Sequence, residues 1–374
     1  MNAGPVSLYV HIPFCARKCA HCDFASYAGR EYDIGRYTHA LHAEITRAAS
    51  EFGALALSTI FIGGGTPSIL PGEAIADLLR AIGSEFRVMS GAEISIEANP
   101  GTLTHDKLTA YRRAGINRLS IGIQSFDDNS LRAINRMHTA EQATDAYNLA
   151  RRAGFDNINI DLIYGLPGQT SRAWRKTLER AIDPRPEHLS CYALILERGT
   201  PLYNAVRSGA CALPGEYEIV EMLNNTTEML ANAGYTRYEI SNYAWPGYEC
   251  RHNLTYWRRG NYLGLGCAAH SLIDEKRFQN TENLDEYLSG TVRVKMETIS
   301  REDLRTETLM LSLRLREGLD LNAFKTACGE DLTETRSKEI ASLQTGGYAV
   351  IDQGRLKLTD EGMNVQNAVL MKLV

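Results

Sequence analysis

Short apolar runs alternate with amphipathic stretches along the first two hundred residues. Runs at residues 6–12, 59–63, 93–98, 118–123, 157–164 and 189–196 are rich in β-branched and aromatic side chains and end in turn residues, which predicts six strands. Between them, apolar positions recur at three- and four-residue steps. Ile34, Tyr37, Leu41, Ile45, Ala48 and Phe52 form the first such series; Ile75, Leu78, Leu79 and Ile82 the second; Leu108, Tyr111 and Ala114 the third. Residues 140–153 and then Trp174, Leu178 and Ile182 complete five predicted helices. Strand and helix in alternation imply a parallel sheet. Six visible units predict an α/β fold built as a partial (β/α)6 parallel barrel, open rather than closed by eight units.

Beyond residue 200 the rhythm changes. Residues 216–233 read as a helix with Ile219, Leu223, Met229 and Leu230 on its apolar side, and residues 235–243 as an aromatic strand. Residues 280–298 are polar and read as a connection. Residues 301–374 read as a small helical domain with a hairpin, Val350-Ile351 and Leu356-Lys357-Leu358 flanking an Asp352-Gln353-Gly354-Arg355 turn, and a last helix from Thr359 or Asp360. The expected division is therefore 1–200 for the barrel, 201–300 for its extension and 301–374 for a winged-helix-like domain. The last segment carries 10 Lys/Arg against 12 Asp/Glu, which argues against nucleic acid and for a structural or docking role.

Polar and glycine-rich groups fall at the carboxyl ends of the strands, the end that carries the active site in parallel α/β barrels. Cys15, Cys19 and Cys22 follow the first strand. Gly63-Gly64-Gly65-Thr66-Pro67 follows the second, Glu97 ends the third, Gln124 the fourth, Asp161 lies within the fifth and Ala193 on the sixth.

The cysteines are spaced C-x3-C-x2-C. Three thiolates within eight residues suit a 4Fe–4S cluster, whose fourth iron is left open for a coordinating small molecule. This is the arrangement of radical enzymes that cleave S-adenosylmethionine. Zinc with His11 or His21 as fourth ligand is the competing reading, but no second ligand pair lies near. The other five of the 8 Cys are scattered singly, which is no disulfide framework and reads as buried small side chains.

Composition narrows the class without changing it. With 374 residues, 44% hydrophobic and 23% charged, the chain has the makeup of a soluble α/β unit with an accessory domain. Residues 1–7 show no signal segment and no 18 apolar residues run together, so the expected compartment is the cytoplasm, where thiols stay reduced. A net charge of −5 gives nucleic acid no support.

Each candidate has a plainer reading beside it. The glycine run lets a ligand approach the backbone, or simply makes a tight turn. Glu97 ends an apolar strand, where a carboxylate needs a partner or solvent. Asp161 sits amid Ile160, Leu162 and Ile163, so solvation explains it less well. Gln124 and Arg136 reach the same mouth or, for Arg136, the surface. His252 stands with Asn253, Tyr256 and Trp257, a polar and aromatic group suited either to a flat macrocycle, with imidazole as axial ligand of heme iron, or to an aromatic core turn.

Cys15-x3-Cys19-x2-Cys22-Asp23-Phe24, the Gly63-Gly64-Gly65-Thr66-Pro67 run and the strand-end pattern resemble radical S-adenosylmethionine proteins related to oxygen-independent coproporphyrinogen III oxidase. Within them the chain is most similar to the HemW-type heme chaperones, over nearly its whole length. The oxidase continues its motif as Cys-x-Cys where this chain has Phe24, and it has a longer segment before the cluster. The His252-Asn253-x-x-Tyr256-Trp257 group matches a motif of the chaperones. The resemblance implies that Tyr9, Gly64, Glu97 and Ala193 contact S-adenosylmethionine. It aligns Gly65, Thr66, Gln124, Arg136 and Asp161 with positions that line a second such molecule in the oxidase, and His21 with an aromatic residue beside its cluster. It further implies heme binding through His252, cluster-dependent homodimerisation and delivery of heme to respiratory membrane enzymes, with a location in the cytoplasm or peripheral at the inner membrane. Two other functions stand beside the chaperone: radical decarboxylation of coproporphyrinogen III in porphyrin biosynthesis, and a structural or regulatory iron–sulfur protein with a winged-helix output.

Overall fold

The computed structural model describes residues 4–374; Met1, Asn2 and Ala3, part of the stretch read as lacking a signal, lie outside it. Strands β1 (Val6–Ile12), β2 (Ala56–Gly64), β3 (Arg87–Ala98), β4 (Arg118–Gln124), β5 (Ile158–Tyr164) and β6 (His188–Ala193) lie side by side and parallel in sequence order. The helices between them are α1 (Ile34–Phe52), α2 (Gly72–Glu85), α3 (His105–Arg113), α4 (Ala140–Arg152) and α5 (Ser171–Ile182). Side-chain caps start three of them, at Thr104, Thr139 and Thr170, and Thr139 forms a reciprocal capping box with Gln142. The predicted units are present; the sixth strand ends at Ala193, short of residue 196.

After β6 come α6 (Glu216–Asn232), the short strands β7 (Thr236–Arg237) and β8 (Asn242–Ala244), and α7 (Arg251–Trp257). Then follow β9 (Tyr262–Leu265), β10 (His270–Ile273), β11 (Lys276–Asn280) and β12 (Arg293–Thr298). The aromatic stretch 235–243 is thus two antiparallel strands with a turn between them. The polar stretch 280–298 is no plain connection: it contains a short helix, Leu284–Leu288, and the edge strand β12. Its apolar content is low because β12 is exposed along nearly its whole length, so it left no buried pattern to read.

One sheet of twelve strands results, in the order β12-β11-β10-β9-β1-β2-β3-β4-β5-β6-β8-β7. β9 pairs parallel with β1, Tyr9 opposite Gly264, so the parallel run has seven strands and not six. β12 and β7, at the two ends, do not pair with each other, and the barrel is open. Residues 309–373 supply a second, separate apolar cluster around Leu313, Phe324, Leu343 and Leu356. Its hairpin turns at Gln353-Gly354, both with positive φ, as the predicted turn requires. No helix among the described residues is long and apolar enough to cross a membrane.

The two faces of the central strands differ in kind. Leu8, Val10, Ile12, Ile60, Ile62, Leu119, Ile121, Ile123, Ile158, Ile160, Leu162 and Leu189 are buried in the main core against the helices. The alternate positions carry Ser7, Tyr9 and His11 on β1, Glu93, Ser95 and Glu97 on β3, Arg118 and Ser120 on β4, Asn159 and Asp161 on β5, and His188 and Ser190 on β6. Successive side chains of a strand point to opposite faces, so the helix-facing side is apolar and the concave side is polar.

Candidate functional site

The cluster loop hangs from the carboxyl end of β1. Phe14–Cys15 pairs with Tyr27–Ala28, Ala20 N–H donates to Ile134 O at 3.0 Å and Cys22 N–H to Cys19 O at 3.2 Å. Cys15 is buried, Cys19 and Cys22 half-buried. Burial pushes the Cys15 and Cys22 thiols up, and they are raised further by neighbouring cysteines of the motif, Cys15 by Cys19 and Cys22 by Cys19 and Cys15. Arg136 Nη1 donates to Cys19 Sγ at 3.4 Å, and Thr66 Oγ1 lies 3.5 Å from Cys15 Sγ. Among the described residues no three His, Cys, Asp or Glu side chains converge as a single closed ion site requires. His11 is spoken for at both ring nitrogens, by Tyr9 Oη (2.9 Å) and Ala25 O (2.8 Å). The His21 Nδ1 is buried without a partner, and burial lowers this imidazole to about 4. Three cysteines on one loop are the donor set that a 4Fe–4S cluster with one open iron would take.

The glycine run is demanded by packing. A Cβ on Gly63 would meet the Phe61 ring at 2.8 Å and Glu97 Oε2 at 3.0 Å; on Gly65 it would meet Phe14 O at 2.7 Å and Cys15 Sγ at 3.0 Å. Gly64 has φ +116°, and a Cβ there would strike the His11 ring at 2.7 Å. Gly64 N–H donates to Glu97 Oε2 at 3.0 Å. Desolvation first and Asp161 second raise the Glu97 carboxyl to about 8, so it is largely protonated at neutral pH. Arg136 also bonds Asn99 Oδ1 (2.9 Å) and the Gly122 carbonyl, and Asn99 Nδ2 donates to Thr66 Oγ1 at 3.0 Å. Gln124 adopts φ 68° at a bulge where β4 shifts register against β5.

Tyr9, Glu97 and Tyr256 border two cavities. The upper one, about 360 Å³, opens at the mouth and is lined also by Gly64, Phe24, Tyr262, His270 and Glu282. Phe24 is 64% exposed at its rim. The lower one, about 220 Å³, lies inside the barrel between the polar strand positions and α7, and Arg118, Ser120, Asp161 and Tyr192 line it. Asp161 accepts from Ser120 Oγ and Asn159 Nδ2, each at 2.8 Å. Asn159 Oδ1 lies 2.6 Å from His188 Nδ1, and His188 Nε2 lies 2.8 Å from Tyr238 Oη.

His252 is on α7, which covers the amino end of the strands. It is 1% exposed, and Glu93 Oε1 accepts its backbone N–H at 3.0 Å. Thr59 Oγ1 donates to Ser7 Oγ at 2.8 Å, so the 2.7 Å contact between Thr59 Oγ1 and His252 Nδ1 is a donation by Nδ1–H. Nε2 then accepts from Tyr256 Oη at 2.8 Å. Burial, aided by Arg118, lowers this imidazole to about 3, and it is neutral. The aromatic-turn reading therefore describes His252 as it stands, with its one lone pair capped by Tyr256.

Of the predicted residues, the structure brings Cys15, Cys19, Cys22, Gly65, Thr66 and Arg136 around the cluster loop, and Tyr9, Gly64 and Glu97 around the upper cavity. Asp161 and His252 face the lower one. Gln124 reaches the group through Gly122, and Ala193 lies exposed at the end of β6. Tyr192, which the strand-end pattern pairs with Ala193, lines the lower cavity; Arg118, Ser120, Asn159 and His270 also line these cavities and were not anticipated. The signal for Arg118, Ser120 and Asn159 was present as polar residues at every second position of β4 and β5.

A model of the radical SAM superfamily matches residues 9–181, and one of the HemN C-terminal domain matches residues 299–365. A protein of Lactococcus lactis named heme chaperone HemW is 34% identical over 100% of this chain and 98% of its own length. Its namesake in Escherichia coli is 35% identical over 98% of this chain and 97% of its own. Among solved structures, coproporphyrinogen III oxidase (HemN) of Escherichia coli, described as a radical SAM enzyme, is similar with a TM-score of 0.86 at 28% identity, over 99% of this chain and 90% of that one.

Proposed function

The chain belongs to the HemW family of the radical SAM superfamily, and on that footing we propose that it binds heme for transfer, with a 4Fe–4S cluster and S-adenosylmethionine as its own cofactors. The observation that carries the reading is likeness along the entire chain to proteins named for that role. Cys15, Cys19 and Cys22 hold the cluster, and Arg136 steadies Cys19 through its hydrogen bond to sulfur. When bound, the cluster offers an open iron to the methionine end of S-adenosylmethionine. Tyr9, Gly64, Glu97 and the Ala193 backbone contact that molecule. Gly65, Thr66, Gln124, Arg136 and Asp161 stand where a second copy would lie, but Arg136 and Thr66 are already engaged with the loop and Asn99.

Heme enters at the mouth, where Phe24, Tyr256 and Tyr262 supply aromatic walls. His252, beneath Tyr256 on the side of the lower cavity, would offer Nε2 to the iron of a heme held above it if the Tyr256 hydroxyl turned aside. A single ligand released by one hydroxyl suits capture and hand-over. Respiratory membrane enzymes are the acceptors in this reading, the chain works in the cytoplasm or against the inner membrane, and it pairs as a homodimer.

The oxidase is the second reading, favoured by the close fold match over 99% of the chain. The anaerobically reconstituted protein is assayed with heme and with coproporphyrinogen III side by side. Heme uptake without decarboxylation is expected. Several turnovers of coproporphyrinogen with no heme affinity would overturn the chaperone in favour of the oxidase.

A further inference from the structure

Arg118 opens β4 with its side chain inside the barrel, 2% exposed. Its guanidinium makes no ion pair and no hydrogen bond to any described residue, and its Nε is buried without a partner. It faces the lower cavity of about 220 Å³. A buried guanidinium carries five N–H donors in a rigid fork and is costly to leave unpaired. Cys250, then Glu93, Tyr238 and Asp161, favour its charge without a hydrogen bond or ion pair to it. No other Lys or Arg lines either cavity among the described residues. An acidic ligand that enters through the mouth therefore meets one cation, at the barrel floor, and a planar fork of donors matches a carboxylate in two parallel bonds.

We propose that Arg118 anchors a carboxylate subsite and that its occupant is one propionate of the bound heme, reaching past Tyr9, Glu97 and Tyr256 while the ring stays in the mouth; this rests on the heme reading above. The lower cavity is too small for a tetrapyrrole but has room for an acid side arm. Of the two acidic sources in this reading, the methionine carboxylate of S-adenosylmethionine is drawn to the cluster at the opposite end of the mouth. The propionate is the one free to reach down.

The test compares heme with heme dimethyl ester, which keeps the iron and the ring and removes both carboxylates, on the full-length reconstituted protein. Wild type binds heme roughly tenfold to a hundredfold more tightly than the ester. Arg118→Met abolishes that preference, Arg118→Lys keeps part of it, and S-adenosylmethionine affinity stays unchanged in both variants. Iron content and thermal melting show whether the variants fold, and the ester comparison on wild type needs no variant. Equal affinity of wild type for heme and ester overturns the proposal and leaves heme binding standing. Equal losses for heme and ester in Arg118→Met overturn it as well. A selective loss of S-adenosylmethionine affinity assigns the subsite to the amino-acid carboxylate instead. If wild type binds no heme at all, the inference and the reading beneath it fail together.

Discussion

Glu97 offers a direct test of the electrostatics of the mouth. Its carboxyl is raised from 4.5 to about 8, by desolvation first and by Asp161 second, while Gly64 N–H and Arg118 pull the other way. In the unfolded chain it loses its proton near 4.5; in the folded chain it keeps it until about 8. The folded state thus holds the extra proton between those values. Its contribution to stability is full below about pH 4.5 and is lost as pH rises through 8. At about 1.36 kcal/mol per tenfold change in proton affinity, the whole span has a ceiling of about 5 kcal/mol. Gln reproduces the protonated acid, with an acceptor for Gly64 and a donor in place of the acid proton. Urea denaturation of the cluster-free protein from pH 5 to pH 8.5 should show wild type losing about 4 kcal/mol relative to Glu97→Gln, with most of the loss above pH 6. A wild-type-minus-variant difference that stays constant over that range would refute the buried-acid argument. A cationic ligand bound at neutral pH should also expel this proton, so calorimetry of S-adenosylmethionine binding in two buffers of different ionisation heat should report proton release by wild type that Glu97→Gln lacks.

Three further outcomes follow from the same geometry. Cys15→Ala, Cys19→Ala and Cys22→Ala should each lose most iron and sulfide after anaerobic reconstitution, while Cys211→Ala keeps them, as measured by metal and sulfide analysis. Tyr256→Phe removes the hydroxyl that caps His252 Nε2; if that nitrogen ligates heme, affinity should rise about fivefold, the value of one hydrogen bond, and weaker binding would remove His252 from the ligand role. Arg314→Ala strips the partner at 2.8 Å from Glu239, a fully buried carboxylate that otherwise accepts from Ser241 N–H and Asn242 Nδ2, and should cost about 3 kcal/mol in chemical denaturation.

The barrel was legible because its helix-facing positions obey one rule without exception: Leu119, Ile121 and Ile123, for instance, must be apolar to meet the helices. The cysteine loop could be singled out because cluster ligation would need its spacing locally. What failed to show was non-local. β9 is four residues long and joins β1 across two hundred and fifty positions, which no periodicity announces. β12 buries almost nothing and so looks like a linker. Arg118 begins a strand at a place where an exposed charge is commonplace, and only the pairing of Ser95 with Arg118 places it inside. His252 could be named from the residues around it, but its engagement by Thr59 and Tyr256 depends on α7 folding under the strands.

A barrel interior filled with Val, Ile and Leu gains stability from both faces of its strands. This one forgoes half of that gain. Polar side chains stand at every second position, and they are tolerable only because most satisfy one another: Ser120 with Asp161, Asn159 with His188, His188 with Tyr238, Thr59 with Ser7 and His252. Both imidazoles of this network are held neutral, and Glu97 stays largely protonated at neutral pH, which keeps the fixed charge in the interior small. Against that background three groups along the cavities are less fully engaged. Arg118 has no partner, Glu97 has one backbone donor and a proton to lose, and His252 has a lone pair under a single hydroxyl. Their common position along the two linked cavities is what the proposed binding of an acidic, iron-bearing cargo beside a cationic cofactor would draw on.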